Sequence, residues 1–369
     1  MRVLFLLLTS LLFSITSLNA QQYYVYVTAE SEDEVSLIRF DAQSGEGEIV
    51  RDIEVGKYPA ENDGPHGINV SADGEHIFVS IAHGNPYGYL QKIEAETGKL
   101  VAEAPLGMFP ASMEVSSSTG FLYIVNFNLH GDMVPSTVSV IDPEIMEVIT
   151  EIPTGIMPHG SRMNADGTRQ YHVSMMTDEL IEIDTELMEV SRRLPLGESS
   201  HSAMHAGMDQ QSGMSMQKEM MHNPVEKPTW ADPHPSKPLV YVAANGSSEI
   251  LEIDTGKWEV TRRWDSGKAP YNLEVSHDGK LLVVSYKGEA ATGIWDLESG
   301  KELAKIPNSR KITHGVAISS DNRYAFLSVE GIGGEAGSVD VIDLQKLERV
   351  DYIETGKQAG GIIFWKQES

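Results

Sequence analysis

The stretch Pro65-His66-Gly67-Ile68-Asn69-Val70-Ser71-Ala72-Asp73-Gly74 decides the fold, because the chain repeats it with variations. Ile68 and Val70 alternate at the period of a strand, and the Asp-Gly pair that follows favours a tight hairpin. The unit returns as PHGSRMNADG from Pro158 and as THGVAISSDN from Thr313. Weaker copies begin at Pro110 (PASMEVSSSTG) and Pro270 (PYNLEVSHDG). Three of these five copies place His-Gly at the strand entrance, at His66, His159 and His314. That shared position makes the three histidines the leading candidates for function.

A second marker counts the units. An apolar residue followed by an acid closes a strand at Asp41, Glu94, Asp142, Asp184, Asp254, Asp296 and Asp343, with spacings of 53, 48, 42, 70, 42 and 47 residues. A period in the forties with four short strands per unit is the signature of a propeller blade. The fold expected is all-β: a seven-bladed β-propeller of four-stranded antiparallel blades, closed by N- and C-terminal strands in one blade. Tyr23 to Thr28 reads as a second strand with no first strand before it, and Gly361 to Trp365 supplies the missing piece. The long interval assigns an insertion, at about residues 198–230, to the junction of blades four and five.

Residues 1–20 read as a cleaved signal peptide: Arg2, an apolar run from Val3 to Leu18, and Ala20 at the cut. The propeller then occupies residues 21–369, in a periplasmic or secreted protein. The apolar run is shorter than the ~20 residues of a membrane helix, so no membrane insertion is expected. The chain has no cysteine, which excludes disulfides and thiolate ligands. Its formal charge of −26, or −27 without Arg2, repels nucleic acid and attracts cations. There is no Walker loop, no dinucleotide fingerprint and no G-x-S-x-G elbow.

The whole mature chain is similar to the YVTN family of bacterial β-propellers, through YYVYVT at Tyr23, LVYVAAN at Leu239 and the recurring P-x-G-x-x-V-S-x-D-G unit. The variant PHGINVSADG also resembles units in the propeller domain of nitrous oxide reductase, where central histidines hold copper. That reductase activity is not implied, since the sequence has no cupredoxin-like stretch and no cysteine. Related propellers include lactonases and haem-d1 proteins.

In such a blade the strands run A to D from the channel outward, and the D-to-A and B-to-C loops share one face. His66, His159 and His314 begin A strands, while His83 and His130 follow B strands on the same face. His201, His205, His222 and His234 are assigned to the insertion, again a D-to-A connection. His76, His172 and His277 read as structural. Imidazole is the commonest metal ligand, and three at equivalent radial positions converge on one axis.

The insertion reads HSAMHAGMDQQSGMSMQKEMMH over 201–222, with Met204, Met208, Met214, Met216, Met220 and Met221 among three histidines. Thioethers are soft ligands that select Cu⁺. The segment resembles the Met/His-rich segments of bacterial periplasmic copper-resistance proteins. Copper is therefore the metal expected, zinc the alternative, and storage, delivery or detoxification the function. The partners expected are the metal ion and, for delivery, a periplasmic protein; the chain itself is expected to be a monomer. A metal-independent interaction scaffold and a lactonase-like hydrolase using the same channel mouth are the competing readings, so enzymatic activity stays open.

Overall fold

The computed structural model describes residues 21–57, 61–83, 87–197 and 224–369. The expected signal peptide, and with it His201, Met204, His205, Met208, Met214, Met216 and His222, lie outside them. Among the described residues twenty-eight strands, numbered β1 to β28 in chain order, form seven four-stranded antiparallel sheets. The seven apolar-acid markers fall at the ends of the seven C strands, from Asp41 to Asp343. No helix among the described residues is long and apolar enough to cross a membrane.

Blade two shows the plan: β4 (Pro65–Val70), β5 (His76–Ile81), β6 (Tyr89–Glu94) and β7 (Leu100–Pro105) pair in that order. The B and C strands are covered on both faces by neighbouring blades, so β5 is buried almost throughout. Outer D strands alternate. In β3 (Glu46–Glu54) acidic residues take four of the five exposed positions, which blunts a free sheet edge.

The core is a series of layers between blades. In β1 (Gln22–Ala29), Tyr23, Val25 and Val27 pack with Tyr324, Phe326 and Ile353 of blade seven. Tyr26, on the opposite face of the same strand, packs with Ile68, Ile77 and Val79 of blade two. Strand alternation thus joins one blade to two neighbours.

The ring closes as the sequence anticipates. β28 (Ala359–Glu368) pairs antiparallel with β1, setting Ile362 against Val27 and Phe364 against Val25, and forms the innermost strand of blade one. The Trp365 indole donates to the Gly74 carbonyl at 2.8 Å, fastening the closing strand to blade two.

Two expectations need correction. The insertion does not run to 230, because β16 (Pro228–Pro233) is already the A strand of blade five. His234 therefore follows an A strand and belongs to the opposite face. Its Nδ1 accepts from the Ser236 and Lys237 amides, and its Nε2 donates to the Gly279 carbonyl at 3.1 Å. Ser236-Lys237 stands where other units carry Asp-Gly, which hides the turn from a reading by motif.

Candidate functional site

The remaining A strands are β8 (Pro110–Val115), β12 (Pro158–Met163), β20 (Pro270–Val275) and β24 (Thr313–Ile318). The second residue of each A strand forms an upper layer around the axis: His66, Ala111, His159, Thr229, Tyr271, His314 and Gly360. In the six blades other than the closing one, pairing between strands A and B slips once across this residue. A bulge of this kind re-aims a side chain. The following glycine has a steric cause. A Cβ on Gly67 would strike the Ala111 carbonyl, one on Gly160 the Trp230 ring, and one on Gly315 the Gly360 carbonyl.

The three histidines do converge. The His66 ring centroid lies 5.6 Å from that of His314 and 6.2 Å from that of His159. All three are buried. Small residues, Ala111 and Gly360, occupy the two intervening positions and leave the rings room.

Protein acceptors fix two of the tautomers. His159 Nδ1 lies 2.9 Å from the Thr229 carbonyl, which only accepts, so Nδ1 carries the proton. His66 Nδ1 lies 2.8 Å from a Glu30 carboxylate oxygen, and the other oxygen receives His83 Nε2 at 2.8 Å. Burial alone would raise the Glu30 carboxyl, but the two imidazoles outweigh it and hold the group ionised, far below the usual range. Glu30 therefore accepts from both rings. In its neutral form each of His66 and His159 keeps a lone pair on Nε2, and that of His159 receives the Tyr271 hydroxyl at 3.0 Å.

Around His314 the arrangement differs. Its ring lies 4.7 Å from that of Tyr271, its Nε2 is 3.9 Å from Glu330, and its Nδ1 has no hydrogen-bond partner. Lys287 stands 4.2 Å over the Tyr271 ring and pairs with Glu330 at 2.9 Å. Burial drives His159 down to about 3, with His66 adding to the effect. Burial, then Lys287 and the other histidines, push His314 well below its ordinary value. Both rings are neutral bases at physiological pH.

The rings of His83 and His130 lie 5.2 Å apart, tilted relative to each other, and both pack on Phe109. They lie on the expected face but outside the inner layer, with His130 exposed. Sequence reasoning missed Glu30, Thr229, Tyr271, Lys287 and Glu330. The signal was positional: Glu30, Lys287 and Glu330 each follow the last residue of a B strand, after β1, β21 (Leu281–Tyr286) and β25 (Tyr324–Val329).

Among the described residues, one trio of acidic or histidine side chains has ligand atoms within 4.8 Å of one another: Asp73, Glu75 and His76, at an A-to-B turn with both acids exposed. The channel histidines are more open. His172 is structural as expected: it is buried in β13 (Arg169–Ser174) and hydrogen-bonded to Thr154 and Gln170.

No protein-family model and no curated protein sequence matches the chain. Among solved structures, hydrazine synthase of Kuenenia stuttgartiensis aligns with a TM-score of 0.60 and 20% identity, over 79% of this chain and 81% of that one. A functionally unknown protein from Desulfotomaculum acetoxidans aligns with a TM-score of 0.67 and 15% identity, over 93% and 98%. At such identities the likeness is one of fold. Neither match bears on the YVTN or nitrous oxide reductase resemblance beyond the shared propeller architecture.

Proposed function

We propose that this propeller holds a transition-metal ion, copper before zinc, at the histidine layer, and stores, delivers or detoxifies it. The observation that carries the reading is the pair of Nδ1 protons locked by Glu30 and Thr229, which leaves Nε2 of His66 and His159 as lone-pair donors. A ligating histidine usually donates its other ring N–H in this way to a carboxylate or backbone carbonyl. His314 supplies the third imidazole, and His83 supports Glu30 from behind.

Rings sharing one tetrahedral ion with bonds of about 2.0–2.1 Å have centroids about 5 Å apart. Binding would therefore close the distances from His66 to His314 and His159 by up to about an ångström and separate the Tyr271 hydroxyl from His159. Neutral imidazoles favour a ligand role over proton transfer, since a general base works best with a pKa near the operating pH. The preference for copper rests on the thioethers of Met204, Met208, Met214 and Met216 with His201, His205 and His222, a soft set next to blade five in the chain.

Competition titration with Cu²⁺ and Zn²⁺ tests the site. His159→Ala should weaken binding at least tenfold. Glu30→Gln should weaken it by about 10- to 100-fold without removing a ligand. Tyr271→Phe should strengthen it, because no hydroxyl then competes for Nε2. Unchanged affinity in the first two variants would remove the histidine layer as the metal site.

A further inference from the structure

Below the histidines the channel widens into a cavity of about 360 Å³ that reaches the A-to-B turns at Ala165, Pro235 and His277. Its wall includes the fifth residue of six of the seven A strands. On adjacent blades three to six these are Glu114, Arg162, Asp232 and Glu274. Each carboxylate is pinned by a backbone amide of the next blade: Glu114 by Met163, Asp232 by Val275 at 2.7 Å and Glu274 by Ile318 at 3.1 Å. Arg162 lies between them, 4.0 Å from Glu274 and 4.9 Å over the Trp230 ring. Three carboxyls thus face one guanidinium. The opposite wall is apolar, with Ile362 and Ile363 of the closing strand.

Three further lining atoms are buried and unpartnered: Trp230 Nε1, an obligate donor, Asn272 Oδ1, an obligate acceptor, and His314 Nδ1. Their residues are 8%, 4% and 5% exposed. A buried polar atom is costly to leave without a partner, so this wall is built to meet a ligand that both donates and accepts. Each carboxylate is anchored to a different blade by its backbone amide, which favours a ligand larger than a bare metal ion. We propose that the cavity binds a small organic ammonium compound bearing a hydroxyl group, with the ammonium among Glu114, Asp232 and Glu274 and the carbon skeleton against Ile362 and Ile363. The hydroxyl accepts from Trp230 Nε1. Burial leaves Glu114 at about 7 and raises Asp232 and Glu274 as well, so an arriving cation displaces protons and restores the carboxylates.

This inference does not depend on metal binding, and His159, which does not line the cavity, separates the two. Calorimetric titration of the full chain would use ethanolamine, propylamine and glycerol as probes. Ethanolamine should bind, propylamine more weakly and glycerol not measurably. Asp232→Asn and Glu274→Gln keep the acceptor for the backbone amide but remove charge, and each should weaken ethanolamine binding at least tenfold in protein whose circular dichroism is unchanged. Trp230→Phe should reduce the preference for ethanolamine over propylamine, and His159→Ala should leave ethanolamine binding as in the wild type. Glycerol binding as well as ethanolamine, no binding of either amine, or wild-type ethanolamine affinity in both carboxylate variants would overturn the proposal. If both variants misfold, the probe ranking in the wild-type protein decides.

Discussion

Gly67 shows how a sequence signal and its physical cause differ. His-Gly was legible as a repeated pair, but the requirement for glycine comes from the neighbouring blade, whose Ala111 carbonyl occupies the space of a Cβ. Gly67→Ala should cost about 1–3 kcal/mol, because backbone rather than a flexible side chain must give way. Gly334→Ala meets nothing within 4 Å and serves as the control. Equal melting temperatures for the two variants would contradict the close approach.

Burial also sets how stability follows pH. His159 and His172 both drop to about 3 from an ordinary 6.5, so the unfolded chain takes up their protons first. Their stabilisation is complete above 6.5 and is lost as pH falls towards 3. Glu114 has the opposite sign. Its folded value, about 7, exceeds the ordinary 4.5, so its contribution is present below 4.5 and is lost as pH rises through 7. Glu114→Gln should therefore reduce the fall in melting temperature between pH 6 and pH 8, and an unaltered fall would show that Glu114 is not the titrating group. The sequence named the three histidines but could not show these shifts, which arise from packing among distant blades.

At the scale of the element, the strands were legible because their periodicity records which faces are covered. The D strands alternate, while the B strands are buried almost throughout because a blade packs on either side. The first blade's missing A strand was also legible, since β1 is a B strand by pattern and the C-terminal strand has no other partner. His234 was not, because the turn it caps lacks the Asp-Gly found elsewhere. Deleting residues 360–369 removes most of β28, exposes β1 and strips Ile362 from the layer between blades one and seven. Aggregation, or a fall in melting temperature of roughly 10 °C or more, is expected from losing several kcal/mol. Cooperative melting at the parent temperature would mean that closure does not depend on this strand.

At the scale of the molecule, seven nearly equivalent strands turn a short sequence unit into rings of side chains at successive depths. The second position gives the histidine layer and the fifth gives the acidic wall. Only the first was read from sequence. His66, His159 and His314 share a visible motif, whereas Glu114, Arg162, Asp232 and Glu274 share a register position but no residue type. Glu30 and Glu330 were missed for the same reason, as they join the site only when B strands from other blades are placed around the axis. The central claim is that the upper ring is a metal site. Its most direct test is elemental analysis of untagged protein, loaded with one equivalent of Cu²⁺ and passed through a desalting column, beside the variant His66→Ala/His159→Ala/His314→Ala. About one copper per chain should remain on the wild type and be lost from the variant. Copper-free wild type, or equal copper on both proteins, would contradict the claim.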